Sequence, residues 1–162
     1  MTKQHGFSIL ELISVITIIG ILVAIAAPRL SSVPAANLYA SSVASQFQQA
    51  RFEAIKRNRP VAVVWDSAQQ AVITRANQNS NDIDCAPGSV DEVIVTTRTN
   101  EYGALSVAPD GFGGSDGIVW LPTGLSQNCN GGMSTGSLVI TGRNASYKVL
   151  VSGSSRIRTE RQ

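Results

Sequence analysis

The sequence predicts an α+β protein in which one long N-terminal helix packs on an antiparallel β-sheet head. Two observations carry that expectation. From Leu12 to Pro28 no residue is charged, and with Phe7 to Leu10 added the apolar stretch reaches about the 20 residues that a spanning helix needs. Glu11 is its only interruption. After Pro60 the pattern changes to short β-rich runs separated by turn residues.

A helix apolar on every face has no polar side to give to solvent in a chain of 162 residues, so residues 7–28 read as membrane-embedded. Beyond Pro28, Ala36, Ala40, Val43, Phe47, Ala50 and Ala54 recur at alternating spacings of four and three, while Ser42, Gln46, Gln49, Arg51 and Glu53 fall on the other face. Residues 29–59 are therefore expected as an amphipathic continuation packed on the head. Pro28 and Pro34 are expected to kink or break the helix and Pro60 to stop it.

The head, residues 60–162, is expected to hold strands at Val61–Trp65, Ala71–Arg75, Glu92–Thr97, Leu105–Ala108, Ile118–Leu121, Leu138–Thr141 and Tyr147–Val151, in one antiparallel sheet or a pair. Asp66–Gln70 has the length and polarity of a hairpin connection. Gly111–Gly117 and Gly131–Gly136 read as loops.

Composition argues against an enzyme. His5 is the only histidine and Cys85 and Cys129 the only cysteines, which excludes a His-rich metal site, a four-ligand zinc site and a relay of several histidines; if His5 leaves with a leader, the usual general base for a serine or cysteine nucleophile goes too. Asp82 with Asp84 and Asp91 with Glu92 lack the oxygen-ligand spacing of a calcium loop. The segment Asp110–Gly117 is glycine-rich, but it has no P-loop lysine and carries two carboxylates that repel phosphate. No metal or other cofactor is expected.

Lys3 ahead of an apolar segment would suit a secretory signal, yet the only small-residue site behind a short basic leader comes before that segment, at Gly6. Read together, Gly6-Phe7-Ser8-Ile9-Leu10-Glu11 resembles the processing signal of type IV pilins and pseudopilins. The resemblance implies a leader of residues 1–6, cleavage between Gly6 and Phe7 by a prepilin peptidase, and methylation of the new amine on Phe7. It also implies a helix that first anchors the chain in the bacterial inner membrane, with the head in the periplasm, and later forms the core of a pilus or pseudopilus. A carboxylate within a spanning helix costs on the order of 3 kcal/mol and calls for a partner. The family pairs this glutamate with the terminal amine of a neighbouring subunit, and Glu11 stands at the matching position.

That topology places the head in an oxidising compartment, where Cys85 and Cys129, both in polar loop sequence, are expected to form a disulfide. Two free thiols are the other reading.

Charge is unevenly distributed: 0 for residues 1–28, +4 for 29–59, −6 for 60–142 and +4 for 143–162. Arg51, Lys56, Arg57 and Arg59 close the long helix, where cations complement its dipole. The tail is different. If extended, it projects Arg156 and Arg158 to one side and Ile157 to the other, so the isoleucine can dock on the head while both guanidinium groups face outward. Arginine forks suit phosphate oxygens. Within the superfamily, the helix-then-β order and this tail resemble the FimT/FimU/GspH group of minor pilins and pseudopilins. In FimT-type members a C-terminal Gly-Arg-x-Arg motif is tied to DNA binding in natural transformation. Arg156, Ile157 and Arg158 match its last three positions, and Ser155 stands where the motif has glycine. The resemblance implies a minor pilin acting in pilus assembly or initiation, with Arg156, Arg158 and Arg161 as candidate contacts to double-stranded DNA. A minor pseudopilin of a type II secretion system is the alternative. The partners implied are prepilin peptidase, the inner membrane and other major and minor pilins or pseudopilins.

Overall fold

The computed structural model describes residues 8–30, 34–77, 85, 91–112, 116–132 and 135–162, with residues 26–30 described by their backbone alone. The chain divides into two compact units, Met1–Val33 and Pro34–Gln162.

The first unit holds helix α1, Ile9–Leu30. Ser8 opens it: the Leu10 N–H donates to the Ser8 hydroxyl at 3.3 Å, and the Glu11 and Leu12 N–H groups donate to its carbonyl at 3.0 and 3.1 Å. Ser14 and Thr17, polar residues within the apolar run, donate to the carbonyls of Glu11 and Ile13 at 2.8 and 2.7 Å, so their hydroxyls are satisfied inside the helix. The large apolar side chains from Ile9 to Ile25 are exposed on all faces. Among the described residues no helix is long and apolar enough to cross a membrane. The expected span, residues 7–28, extends at both ends beyond the side chains described, at residue 7 and at residues 26–28. Helix α1 continues through Pro28 to Leu30, contrary to a break at that proline. Proline has no N–H for the carbonyl four residues earlier, but α1 ends within two residues of it, so little helix remains beyond it to break.

The second unit begins with α2, Ala35–Arg57, entered from Pro34. The expected stripe of Ala36, Ala40, Val43, Phe47, Ala50 and Ala54 is buried, joined by Tyr39 and Gln46. Helix α2 ends before Pro60: Asn58 takes a left-handed conformation at φ 50°, and the Arg59 N–H bonds back to the Ala54 carbonyl at 3.2 Å.

Nine strands follow among the described residues: β1 Val61–Asp66, β2 Ala71–Ala76, β3 Glu92–Arg98, β4 Ser106–Asp110, β5 Gly117–Trp120, β6 Ser126–Asn128, β7 Gly136–Thr141, β8 Ser146–Val151 and β9 Ile157–Arg161. They form two antiparallel sheets, ordered β3-β2-β1-β5-β6 and β4-β7-β8-β9. The β1–β2 hairpin turns on Asp66, whose carboxylate accepts the N–H groups of Ala68 and Gln69 at 2.9 and 3.0 Å. Helix α2 packs on strands of both sheets, and its buried stripe joins Val61, Val63, Trp65, Val72, Ile118, Trp120, Leu138, Ile140 and Val149 in one core.

Gln46, expected on the polar face, reaches into the core instead. Its side-chain amide donates to the Val72 carbonyl at 3.0 Å, the Thr74 hydroxyl at 2.9 Å and the Val95 carbonyl at 3.3 Å, which ties α2 to β2 and β3. Nearby, Tyr39 stacks edge-on to Tyr102 at 5.2 Å between ring centroids, and burial pushes its phenol well above the usual tyrosine range.

Candidate functional site

The C-terminal strand sets the geometry of the site. Strand β9 pairs with β8 in the register Val151↔Ile157, Leu150↔Arg158, Val149↔Thr159, Lys148↔Glu160 and Tyr147↔Arg161. Alternate residues face opposite sides of a sheet. Ile157 packs on the core with Val149 and Val151, so Arg158 and Glu160 face away from it, beside Leu150 and Lys148.

The turn into β9 is built around Ser155, which adopts φ 59°, the left-handed region that favours glycine. A serine holds that conformation here because its hydroxyl is buried and used. It accepts the Ser126 N–H at 2.9 Å and lies 3.1 Å from the Ser126 hydroxyl. The Ser155 N–H donates to the Ser152 carbonyl at 2.7 Å, and the Ser152 N–H donates to the Arg156 carbonyl at 2.9 Å. Ser155 thus holds a left-handed backbone conformation and ties the turn to β6.

Arg156 and Arg158 border an open groove of about 560 Å³, with Leu150, Ser137 and Gly136 at its base and Asp110, Lys148 and Glu160 around it. Both arginines are exposed, and neither forms an ion pair among the described residues. Across the groove the Lys148 ammonium donates to Asp110 at 3.0 Å, and the Ser137 hydroxyl lies 3.5 Å from the same carboxylate oxygen. The hydrogen bond from Lys148, reinforced by its charge, holds the Asp110 carboxyl below the usual carboxylate range. Arg161, grouped with the other two in the sequence, falls on the opposite face in the row of Tyr147 and does not line the groove. A Cβ on Gly136 would run into the Phe112 ring, so the base of the groove accepts no larger residue there without displacing that aromatic.

Arg51 and Arg57, on the last turns of α2, serve the fold. Arg57 bonds Glu53 at 2.7 Å and Glu92 at 2.6 Å, which draws Glu92 of the Asp91–Glu92 pair into an ion pair. The Arg51 guanidinium sits over the Trp120 ring, 5.7 Å from its centroid.

Cys85 and Cys129 are joined in a disulfide with Cα atoms 5.2 Å apart. Cys129 directly follows β6. Glu11 lies in the first turn of α1, where the helix dipole favours a carboxylate. Gly6, Phe7, Asp82 and Asp84 lie outside the described residues. Among the described residues no three or more His, Cys, Asp or Glu side chains gather as a metal site.

An apolar N-terminal helix, followed by a helix packed on antiparallel sheets that carry a disulfide, defines a protein of the pilin-like class. The family described as "Type II transport protein GspH" matches residues 39–155, and the "Prokaryotic N-terminal methylation motif" matches residues 1–27. The chain belongs to the GspH family, within the type IV pilin-like superfamily, and is a minor pilin or pseudopilin of the GspH/FimU type.

Among solved structures, the minor pseudopilin EpsH from the type 2 secretion system of Vibrio cholerae is similar at 13% identity and a TM-score of 0.55, over 78% of this chain and 96% of that one. The type IV minor pilin FimU of Pseudomonas aeruginosa is similar in two crystal forms at 14% identity and a TM-score of 0.54, over 76% of this chain and 91% and 87% of those chains. At these identities the likeness is one of fold. No curated protein matches the chain. Family members are structural subunits anchored in the inner membrane with periplasmic heads, and the methylation motif implies prepilin peptidase and other pilins as partners.

Proposed function

We propose that the chain is a minor type IV pilin that acts in pilus assembly or initiation and contacts duplex DNA through Arg156 and Arg158 during natural transformation. The observation that carries this reading is the pair of exposed guanidinium groups held beside one groove by a strand anchored through Ile157. Arginine forks fixed in this way meet phosphate oxygens without the ordering cost of a free tail. In this reading, prepilin peptidase cleaves between Gly6 and Phe7, and Phe7 is methylated. Residues 7–28 anchor the chain in the inner membrane and later enter the filament core, and Glu11 pairs with the amine of a neighbouring subunit. Arg161 contributes only to the general field.

The test is duplex DNA binding by the full-length protein in detergent, across a range of salt. Each phosphate contact contributes about −0.9 to the slope of log K against log salt, so Arg156→Gln/Arg158→Gln should flatten the slope by about 1.8. Absence of binding at low salt removes the DNA component.

The GspH family match favours a second reading, a minor pseudopilin of a type II secretion system. Tail variants assayed separately for piliation, transformation and secretion distinguish the two. Lost transformation with intact pili supports the first, whereas deletion that blocks secretion and spares pili supports the second.

A further inference from the structure

On the groove face, β8 and β9 place Lys148 diagonally behind Arg158: Leu150 is opposite Arg158, and Lys148 is one step along the same face. Diagonal neighbours in a sheet lie about 7–8 Å apart at Cα, within reach of a long side chain. An anion seated on Arg158 is therefore also within range of the Lys148 ammonium. That ammonium is already engaged, because Asp110 approaches it from β4 at 3.0 Å, and the Ser137 hydroxyl lies near the same carboxylate oxygen. The carboxylate thus stands at the groove wall where the third cation would otherwise meet a ligand.

We propose that Asp110 is a built-in competitor for the anion site, a carboxylate that occupies Lys148 and limits the groove to two of its three cations. This rests on the reading of Arg156 and Arg158 as DNA contacts and adds a residue that sets how tightly that site holds the phosphate backbone. A DNA phosphate entering between Arg158 and Lys148 has to displace Asp110. In the wild type Asp110 keeps Lys148, so bound DNA meets two cations and makes no contact at the third. Glu160 provides an internal comparison. It lines the same groove with the same charge, but it holds no cation in an ion pair among the described residues.

The test compares duplex DNA binding by full-length Asp110→Asn, Glu160→Gln and Asp110→Asn/Lys148→Gln in detergent. Asp110→Asn should bind several-fold more tightly at low salt, with a slope steeper by about 0.9, the increment of one added phosphate contact. Glu160→Gln should tighten binding through charge alone and leave the slope unchanged. The double variant should return to wild-type affinity and slope. If Asp110→Asn matches Glu160→Gln, or if the double variant keeps the gain, Asp110 acts only by its charge and the proposal is overturned.

Failure of the DNA reading would look different, as no binding by the wild type and no effect of Arg156→Gln/Arg158→Gln. In that event inorganic tripolyphosphate becomes the probe. Tighter binding by Asp110→Asn that depends on Lys148 retains the competitor role, and equal binding by wild type and variant ends it.

Discussion

The hydroxyl of Ser155 accepts the backbone N–H of Ser126 at 2.9 Å, joining the turn before β9 in one sheet to β6 in the other. The same Ser155 carries φ 59°. One residue therefore both accepts local backbone strain and provides the tie that holds it.

Ser155→Ala should lose the hydrogen bond and keep the strain, leaving a buried donor unpaired at a cost of about 1–3 kcal/mol. Ser155→Gly should lose the same bond and relieve about 1 kcal/mol of strain. Thermal unfolding of the two variants should rank wild type above glycine above alanine. Alanine equal to wild type would show that the serine tie does not form in solution.

Gln46 is the polar link between α2 and the sheet that holds β2 and β3. Gln46→Ala removes hydrogen bonds and leaves a void, with an expected loss of about 2–4 kcal/mol. Ser45→Ala, at an exposed position of the same helix, should change stability by less than about 0.5 kcal/mol. Urea denaturation of both reads the difference, and equal midpoints would remove the core role of Gln46.

The Asp110–Lys148 pair makes a prediction about pH. A carboxyl whose folded value lies below its unfolded value contributes stability above the unfolded value, near pH 3.9, and loses it as pH falls through the folded value. Its contribution is therefore complete at neutral pH and disappears only in strong acid. Carbon-detected NMR should place the Asp110 midpoint below the usual aspartate value, and Lys148→Gln should raise it. An unchanged midpoint in that variant would show that the lysine is not its partner.

The disulfide joins residues 44 apart in sequence, a closure worth about 4 kcal/mol in the chain-entropy model, as an upper figure. Cys85→Ser/Cys129→Ser should lower the unfolding temperature. Intact mass before and after reduction should differ by two hydrogens, and an unchanged mass would mean that the purified protein carries no bridge.

Much of this architecture was legible because apolar spacing reports directly on burial. The α2 stripe and the runs that became β1, β2, β5, β7 and β8 all carry that signal, whereas β3 and β4 are legible from their β-rich composition although little of either is buried. Gln46 was misplaced because its side chain is polar, although it falls three residues after Val43 and four before Ala50, on the buried stripe itself. Strand β6 is three residues long and polar, and β9 reads Ile-Arg-Thr-Glu-Arg. Both exist through backbone pairing with a neighbour, which no local pattern announces. The alternation of Arg156, Ile157 and Arg158 was readable. Asp110 as the opposite wall was not, because Lys148 lies 38 residues away and only the β4-β7-β8 order brings the two together.

The position of Arg158 within a sheet also has a mechanical meaning. A pull along β9 loads all five register pairs with β8 in shear, so they must fail together rather than peel one at a time. At the base of the strand, Ser155 passes part of that load to β6, which is continuous with the disulfide-bonded Cys129. A load applied at Arg158 is thus borne by the frame of the head.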